Sequence, residues 1–314
     1  MPQMCGHYSM SAIKNLKRYK MKKIQTKDFK VKHGKKKLKI EDLPTRVDLG
    51  AGKKEIEEEL RKVRRKLAEL QTKIYAAGTP AVYIGIQGMD TAGKDSLIRE
   101  VFKDINPSGI EVYDFKKPTP LEHAHDYIWR HYITLPERGK FGIHNRTHYE
   151  DVLIARIHPQ LVLNQNIYGI DKLEDIDDKF WKKRFRQIRD FEKIQVENGM
   201  KMFKFFLHLS KDEQKYRFLR RIRRDDKQWK FNAADLKERN YWDDYQKAYE
   251  DVLNETSTNY APWYVIPADD KPTARLIVAK ILLEELKKLK VDFPKLSDEE
   301  KAKFDSYKQA LENE

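Results

Sequence analysis

Residues 87–95 read Gln87-Gly88-Met89-Asp90-Thr91-Ala92-Gly93-Lys94-Asp95, between an apolar run at 81–86 and a stretch of helical spacing. The pattern G-x-x-x-x-G-K in a strand–loop–helix context is a phosphate loop. Backbone N–H groups of Gly88, Met89, Thr91, Ala92 and Gly93 would wrap phosphate oxygens, a helix N-terminus would point at them, and the Lys94 ammonium would add a point charge. The chemistry expected is phosphoryl transfer. Asp95 stands where such loops usually carry the Ser or Thr whose hydroxyl ligates Mg²⁺. An acid would then have to hold the metal, and Asp90 is placed to do so, although an Asp inside a loop also caps turns.

A second group of reactive types follows at 141–153, where Asn145-Arg146-Thr147-His148-Tyr149-Glu150-Asp151 closes a strand-like run and opens a helix-like one. Asn145 occupies the strand end, where a P-loop protein brings a second acid beside its metal. Glu150 either takes over that metal or acceptor-phosphate role or, with Asp151, stabilises the start of a helix. Arg146 suits bidentate phosphate contact.

A third group lies at 210–231, where Arg217, Arg221 and Arg224 fall at i, i+4, i+7 and Lys230 follows. Such a cationic face is either a solvated surface or a mobile lid that closes over phosphates, and the lid is the reading taken here. The histidines crowded between 123 and 158 lack the H-E-x-x-H spacing or cysteine partners of a zinc site, so they are read as packing or surface residues, with His148 a site candidate by position alone. Aromatics at 180, 181, 185 and 191 have helical spacing and are read as core.

These groups need a scaffold. Residues 53–77 place Ile56, Leu60, Val63, Leu67, Leu70 and Ile74 on one face of a long helix that stops at Gly78. Strands are expected at 81–86, 110–115, 141–144, 202–209 and 263–266. Helical stretches between and after them are expected near 120–135, 148–157, 179–197, 211–224 and 271–290, with Ser210 and Glu213 forming a capping box before the fourth. Strands alternating with helices predict one α/β domain with a parallel sheet.

Composition agrees. The chain has 314 residues, 39% hydrophobic, with formal charge +14. Much of that charge sits in residues 1–40, where thirteen Lys and Arg face Asp28 alone. This reads as a basic arm on a nearly neutral body, either a solvated tail or an arm that contacts an anion, and not as a domain face for nucleic acid. The single Cys5 excludes an internal disulfide and a cysteine zinc cage and points to a reducing compartment. No segment nears the roughly 20 apolar residues that span a bilayer, and no signal-peptide core is present. A cytoplasmic protein without membrane partner is expected.

Taken together, residues 87–95 (QGMDTAGKD), 115–120 (FKKPTP), 145–153 (NRTHYEDVL), 210–231, 241–251 (YWDDYQKAYED) and 261–270 (APWYVIPADD) resemble the family-2 polyphosphate kinases across about residues 45–290. The resemblance implies a P-loop kinase fold, an αβα sandwich with a helical lid at about 210–245. It also implies Mg²⁺-dependent transfer of phosphate between inorganic polyphosphate and nucleotides, with Mn²⁺ as an alternative metal. The form N-R-[ST]-H-Y-E-D resembles the subgroup that phosphorylates both AMP and ADP. Asp90 and Glu150 would then hold the metal. Lys94, Arg146, Arg217 and Arg221 would bind the phosphates, and Lys116, Lys117 and Arg130 would continue a basic path for the chain. Homodimers or homotetramers are implied as well. Residues 1–44 form a basic extension and 291–314 a charged helical tail outside the resemblance. The rivals are an ATP-dependent nucleotide kinase, against which Asp95 weighs, and a nucleic-acid-binding protein acting through the basic arm.

Overall fold

The structure, a computed structural model, describes residues 21–34, 37–229 and 231–314. Five parallel strands, β1 (Val82–Gln87), β2 (Ile110–Asp114), β3 (Phe141–Asn145), β4 (Lys201–His208) and β5 (Trp263–Pro267), form one sheet in the order β2-β3-β1-β4-β5. All six residues of β1 are buried, as the unbroken apolar run required of a strand covered on both faces. After β1 the chain moves out to β2 and returns through β3; it then crosses β1 to reach β4. The carboxyl ends of β1 and β3 therefore border the crevice where ligands bind in open α/β sheets.

Helices cover both faces. On one, α1 (Lys53–Ala77), α2 (Lys94–Val101) and a later helix at 271–287 enclose a core that includes Ile56, Leu67, Ile84, Leu207 and Ile277. On the other, α3 (Asp178–Glu197) joins a helix at 242–256 around Tyr149, Phe185, Phe206 and Trp263. Helix α4 (Lys211–Ile222) leaves β4 with the Ser210 hydroxyl accepting from Glu213 N at 3.1 Å. The Glu213 carboxylate does not close the expected capping box; it accepts from Arg217 Nε at 2.7 Å.

Several expectations change. The helix at 120–135 is two single turns, Pro120–His123 and Trp129–Tyr132, and 148–157 is a 3₁₀ turn followed by one α turn. A core helix the reading lacked, α5 (Trp242–Thr256), buries Tyr245, Ala248, Tyr249, Val252 and Leu253. Residues 242–245 of the segment expected to form a lid over about 210–245 thus belong to this core-packed helix. Helix α6 (Lys271–Lys287) is apolar nearly all round, and α7 (Asp298–Glu312) buries nothing.

The basic extension is not a solvated arm over its described part. Ile24, Val31 and Ile40 are buried, and Lys30 bridges Tyr264 at the edge of β5 in antiparallel sense. Ile40 N donates to Glu250 and Leu38 N to Asn254, both at 2.8 Å. A lysine every few residues marks solvent exposure on average, yet the apolar residues between them have a face to bury. The first twenty residues of the predicted arm lie outside the described residues.

Candidate active site

The loop at 88–93 turns tightly because its glycines allow it. A methyl group on Gly88 would stand 3.0 Å from Leu207 Cβ, and Gly93 holds φ +107°, open to glycine at little cost. Thr91 adopts φ +66° with a side chain, a strained conformation that its surroundings must enforce. The enforcing groups come from α4. Arg217 Nη1 donates to Thr91 O and Ala92 O, both at 2.9 Å, while Nη2 donates to Ala268 O and Asp269 O at 2.6 and 3.0 Å. Gln214 Nε2 donates to Asp90 O at 3.2 Å. Lys94 Nζ donates to Gly88 O at 2.5 Å and reaches Met89 O at 3.5 Å, so the ammonium lies within the loop it serves.

The opposite wall is the end of β3. Asn145 Nδ2 donates to Asp95 Oδ1 at 3.1 Å, so the two residues that depart from the usual pattern meet each other. Arg146 sits at φ +61° and Nη1 reaches Phe115 O at 3.3 Å and Asp114 at 3.7 Å. Gln87 Nε2 joins this wall by donating to Thr147 Oγ1 at 3.1 Å.

Charges converge here. Burial pulls the Lys94 ammonium below the ordinary lysine range, Asp90 and Glu150 work to raise it, and Arg146 lowers it further. Burial raises Glu150 above the usual carboxylate range against the pull of Lys94 and Arg146. Asp235, from a short helix at Ala233–Glu238, is likewise raised, first by burial and then by Asp90, while it pairs with Arg221 at 3.6 Å. Oxygens of Gln87, Thr91 and Asn145 are buried here without a hydrogen-bond partner. No set of three His, Cys, Asp or Glu residues able to cage a metal occurs among the described residues. Unsatisfied oxygens with two carboxylates fit a hard cation such as Mg²⁺, which takes few protein ligands and completes its shell with water and substrate phosphate.

Some predicted residues stand apart. Arg217 is 4% exposed and spends its guanidinium on carbonyls and Glu213, so it braces the loop and does not face phosphate. Helix α4 stops at Ile222, which breaks the i, i+4, i+7 face; Arg224 points into solvent and pairs with Asp226. Arg130 is buried, donates to Lys116 O at 2.9 Å and lies over Phe115, which removes it from a solvent-facing basic path. Lys116 and Lys117 remain exposed beside that loop, and Lys230 lies outside the described residues. His148 is buried against Glu192 at 3.6 Å. Sequence reasoning missed Gln87, Gln214 and Asp235; Gln87 and Gln214 reach Thr147 and Asp90, 60 and 124 residues away, and Asp235 meets Arg221 from a separate helix, so no local spacing marks them.

This geometry agrees with relatives of known name. Residues 50–294 match the family described as Polyphosphate kinase 2 (PPK2). The chain belongs to the polyphosphate kinase 2 family. It is 47% identical over 273 residues to an ADP-polyphosphate phosphotransferase of Rhodopseudomonas palustris, covering 87% of this chain and 93% of that one. It is 43% identical to an AMP/ADP-polyphosphate phosphotransferase of Meiothermus ruber, over 77% of this chain and 85% of the relative. The crystal structure of polyphosphate kinase 2 from Arthrobacter aurescens TC1 superposes with a TM-score of 0.79 at 34% identity, over 88% of this chain and 94% of that chain. This polyphosphate kinase 2 member is therefore a phosphotransferase enzyme of α/β fold. No helix among the described residues is long and apolar enough to cross a membrane.

Proposed function

We propose that the enzyme moves the terminal phosphoryl group of inorganic polyphosphate onto AMP and then ADP, with Mg²⁺. What carries the reading is the pairing of a complete phosphate loop with a facing wall of Arg146 and Glu150, in a chain similar to enzymes named for both acceptors. In the forward step an oxygen of the nucleotide phosphate attacks the terminal phosphorus; the new P–O bond forms as the bond to the rest of the chain breaks. The chain leaves one unit shorter. A nucleotide phosphate has its second pKa near about 6, so the attacking oxygen is already ionised at neutral pH and no general base is required. Glu150 is accordingly assigned to metal and acceptor positioning, not proton removal.

Catalysis then reduces to placement and charge. Lys94 neutralises the transferring group, Arg146 grips the acceptor phosphate, and Arg221 is released from Asp235 to meet phosphate as the lid settles. Asp90 and Glu150 would hold Mg²⁺, which supplies further neutralisation of the transferring group when bound.

The test mixes full-length protein, Mg²⁺ and long-chain polyphosphate with AMP or ADP, with ATP plus AMP as a parallel arm, and separates nucleotides by chromatography. Polyphosphate-dependent formation of ADP and ATP supports the proposal. Transfer from ATP with silence from polyphosphate would replace it with an ordinary nucleotide kinase.

A further inference from the structure

Arg146 and Glu150 project from a segment that is neither strand nor α-helix. It leaves β3 at Asn145, passes through φ +61° at Arg146 and closes as the 3₁₀ turn His148–Val152. Such a turn is short and its hydrogen bonds are poorly aligned, so it does not by itself fix side chains to within an ångström. Buried groups behind it do. Thr147 Oγ1 accepts from Gln87 Nε2 at 3.1 Å. Gly85 of β1 makes room for Thr147, since a methyl group there would stand 3.1 Å from Thr147 Cγ2. Two positions on, the Tyr149 hydroxyl donates to Glu192 Oε1 of α3 at 2.6 Å.

Glu192 is itself held. Lys204 Nζ of β4 donates to Glu192 Oε2 at 2.7 Å, to Tyr149 Oη at 3.0 Å and to Thr256 O at the end of α5 at 2.8 Å, which engages all three of its donors. His148 Nε2 lies 3.6 Å from Glu192 Oε1, and the Tyr149 ring meets Trp263 edge-on with centroids 4.7 Å apart. Both members of the ion pair are buried. Burial works to raise the Glu192 carboxyl, but Lys204, with His148, overcomes it and holds the group below the usual carboxylate range, so the pair stays ionised. A buried pair is a poor source of stability, because desolvating two charges offsets their attraction and apolar residues of similar volume pack as well or better. What it supplies is direction: a fully satisfied polar network rigidifies what it binds, whereas an apolar contact would let the Tyr149 end of the turn slide.

We propose that Glu192 and Lys204 are positioning residues: through the Tyr149 hydroxyl they fix the turn that joins Arg146 to Glu150, and so set turnover from behind the site. This rests on Arg146 and Glu150 serving the transfer as proposed above. Thr147 and Tyr149 are then the two buried anchors, and Arg146 and Glu150 the two groups they aim at the phosphate loop.

The experiment compares wild type with Tyr149→Phe, the double variant Glu192→Leu/Lys204→Met, the triple that joins them, Arg146→Ala, and Arg146→Ala/Tyr149→Phe. Each is measured for kcat, for KM of AMP and of long-chain polyphosphate, and for its denaturant midpoint. Tyr149→Phe removes one oxygen and keeps the ring; it is expected to lower kcat about tenfold with both KM values within about twofold of wild type. The double removes both charges together, so its midpoint should stay near or above that of wild type, yet its kcat should fall at least as far. The triple should be no slower than the double, and Tyr149→Phe should lose most of its effect in the Arg146→Ala background, because residues that act through one another are not additive. Wild-type kcat in Tyr149→Phe, or in a double that keeps its midpoint, would overturn the assignment and leave the pair as packing. An undiminished Tyr149→Phe effect in the Arg146→Ala background would do the same, and both Tyr149→Phe readings decide even where the double does not fold. Wild-type turnover in Arg146→Ala would instead remove Arg146 from the proposed function.

Discussion

Lys94 and Arg217 carry the same charge and touch the same loop, yet their surroundings give them opposite tasks. Lys94 presents three donors within the loop, where a substrate oxygen can replace a carbonyl. Arg217 has all its reach committed to four backbone carbonyls and Glu213. Lys94→Ala is therefore expected to abolish turnover with thermal stability kept. Arg217→Ala should lower stability by about 2–4 kcal/mol, because it leaves several buried carbonyls unpaired, and should lower kcat through a loosened loop; chemical denaturation beside initial rates separates the two. The loop, Arg146 and Glu150 were legible in the sequence because the motif is contiguous. The task of Arg217 was not, since helical spacing tells which residues share a face but not whether that face looks at solvent or at another loop.

At the scale of elements, β1, the glycine loop and α2 form one unit that α4 and the α6 entry brace from outside. Gly93→Ala tests that unit: at φ +107° a side chain is strained, and the methyl would press Lys271 and Ser96. Turnover should drop at least about a hundredfold, in line with misplacement of the reacting groups by an ångström, while circular dichroism stays that of the wild type. Four of the strands could be read from largely apolar runs bounded by turn residues, and the fifth, β2 (IEVYD), is a partly exposed edge strand that the sequence also offered as a candidate. Helix α5 escaped because its Tyr, Trp and Asp-rich sequence looks like part of a polar lid, although Tyr245, Ala248, Tyr249 and Val252 repeat at core spacing. Lys204 escaped for a similar reason. It is 1% exposed in β4 and paired with Glu192 at 2.7 Å, with further bonds to Tyr149 and Thr256. Lys204→Met should cost about 3–5 kcal/mol, the penalty for stranding the buried carboxylate, measurable by denaturant melts.

Over the whole molecule, an early segment closes onto late elements at the β5 edge. The segment from residue 24 to 40 buries three aliphatic side chains and bonds to α5. Deleting residues 1–43 should lower the melting temperature by several degrees, since each buried aliphatic contributes about 1.5–3 kcal/mol before ordering costs.

That closure also sets an order of events during synthesis. Leu38 and Ile40 wait for Asn254 and Glu250, partners 216 and 210 positions later. At roughly 5–20 residues per second, the early segment stays undocked on the ribosome for on the order of ten to forty seconds. Ile24, Val31 and Ile40 are bare throughout that interval, beside an edge strand not yet made. The lysines spaced among them keep a sticky ribbon from pairing with another nascent chain, so the basic charge of this segment earns its place before the enzyme exists.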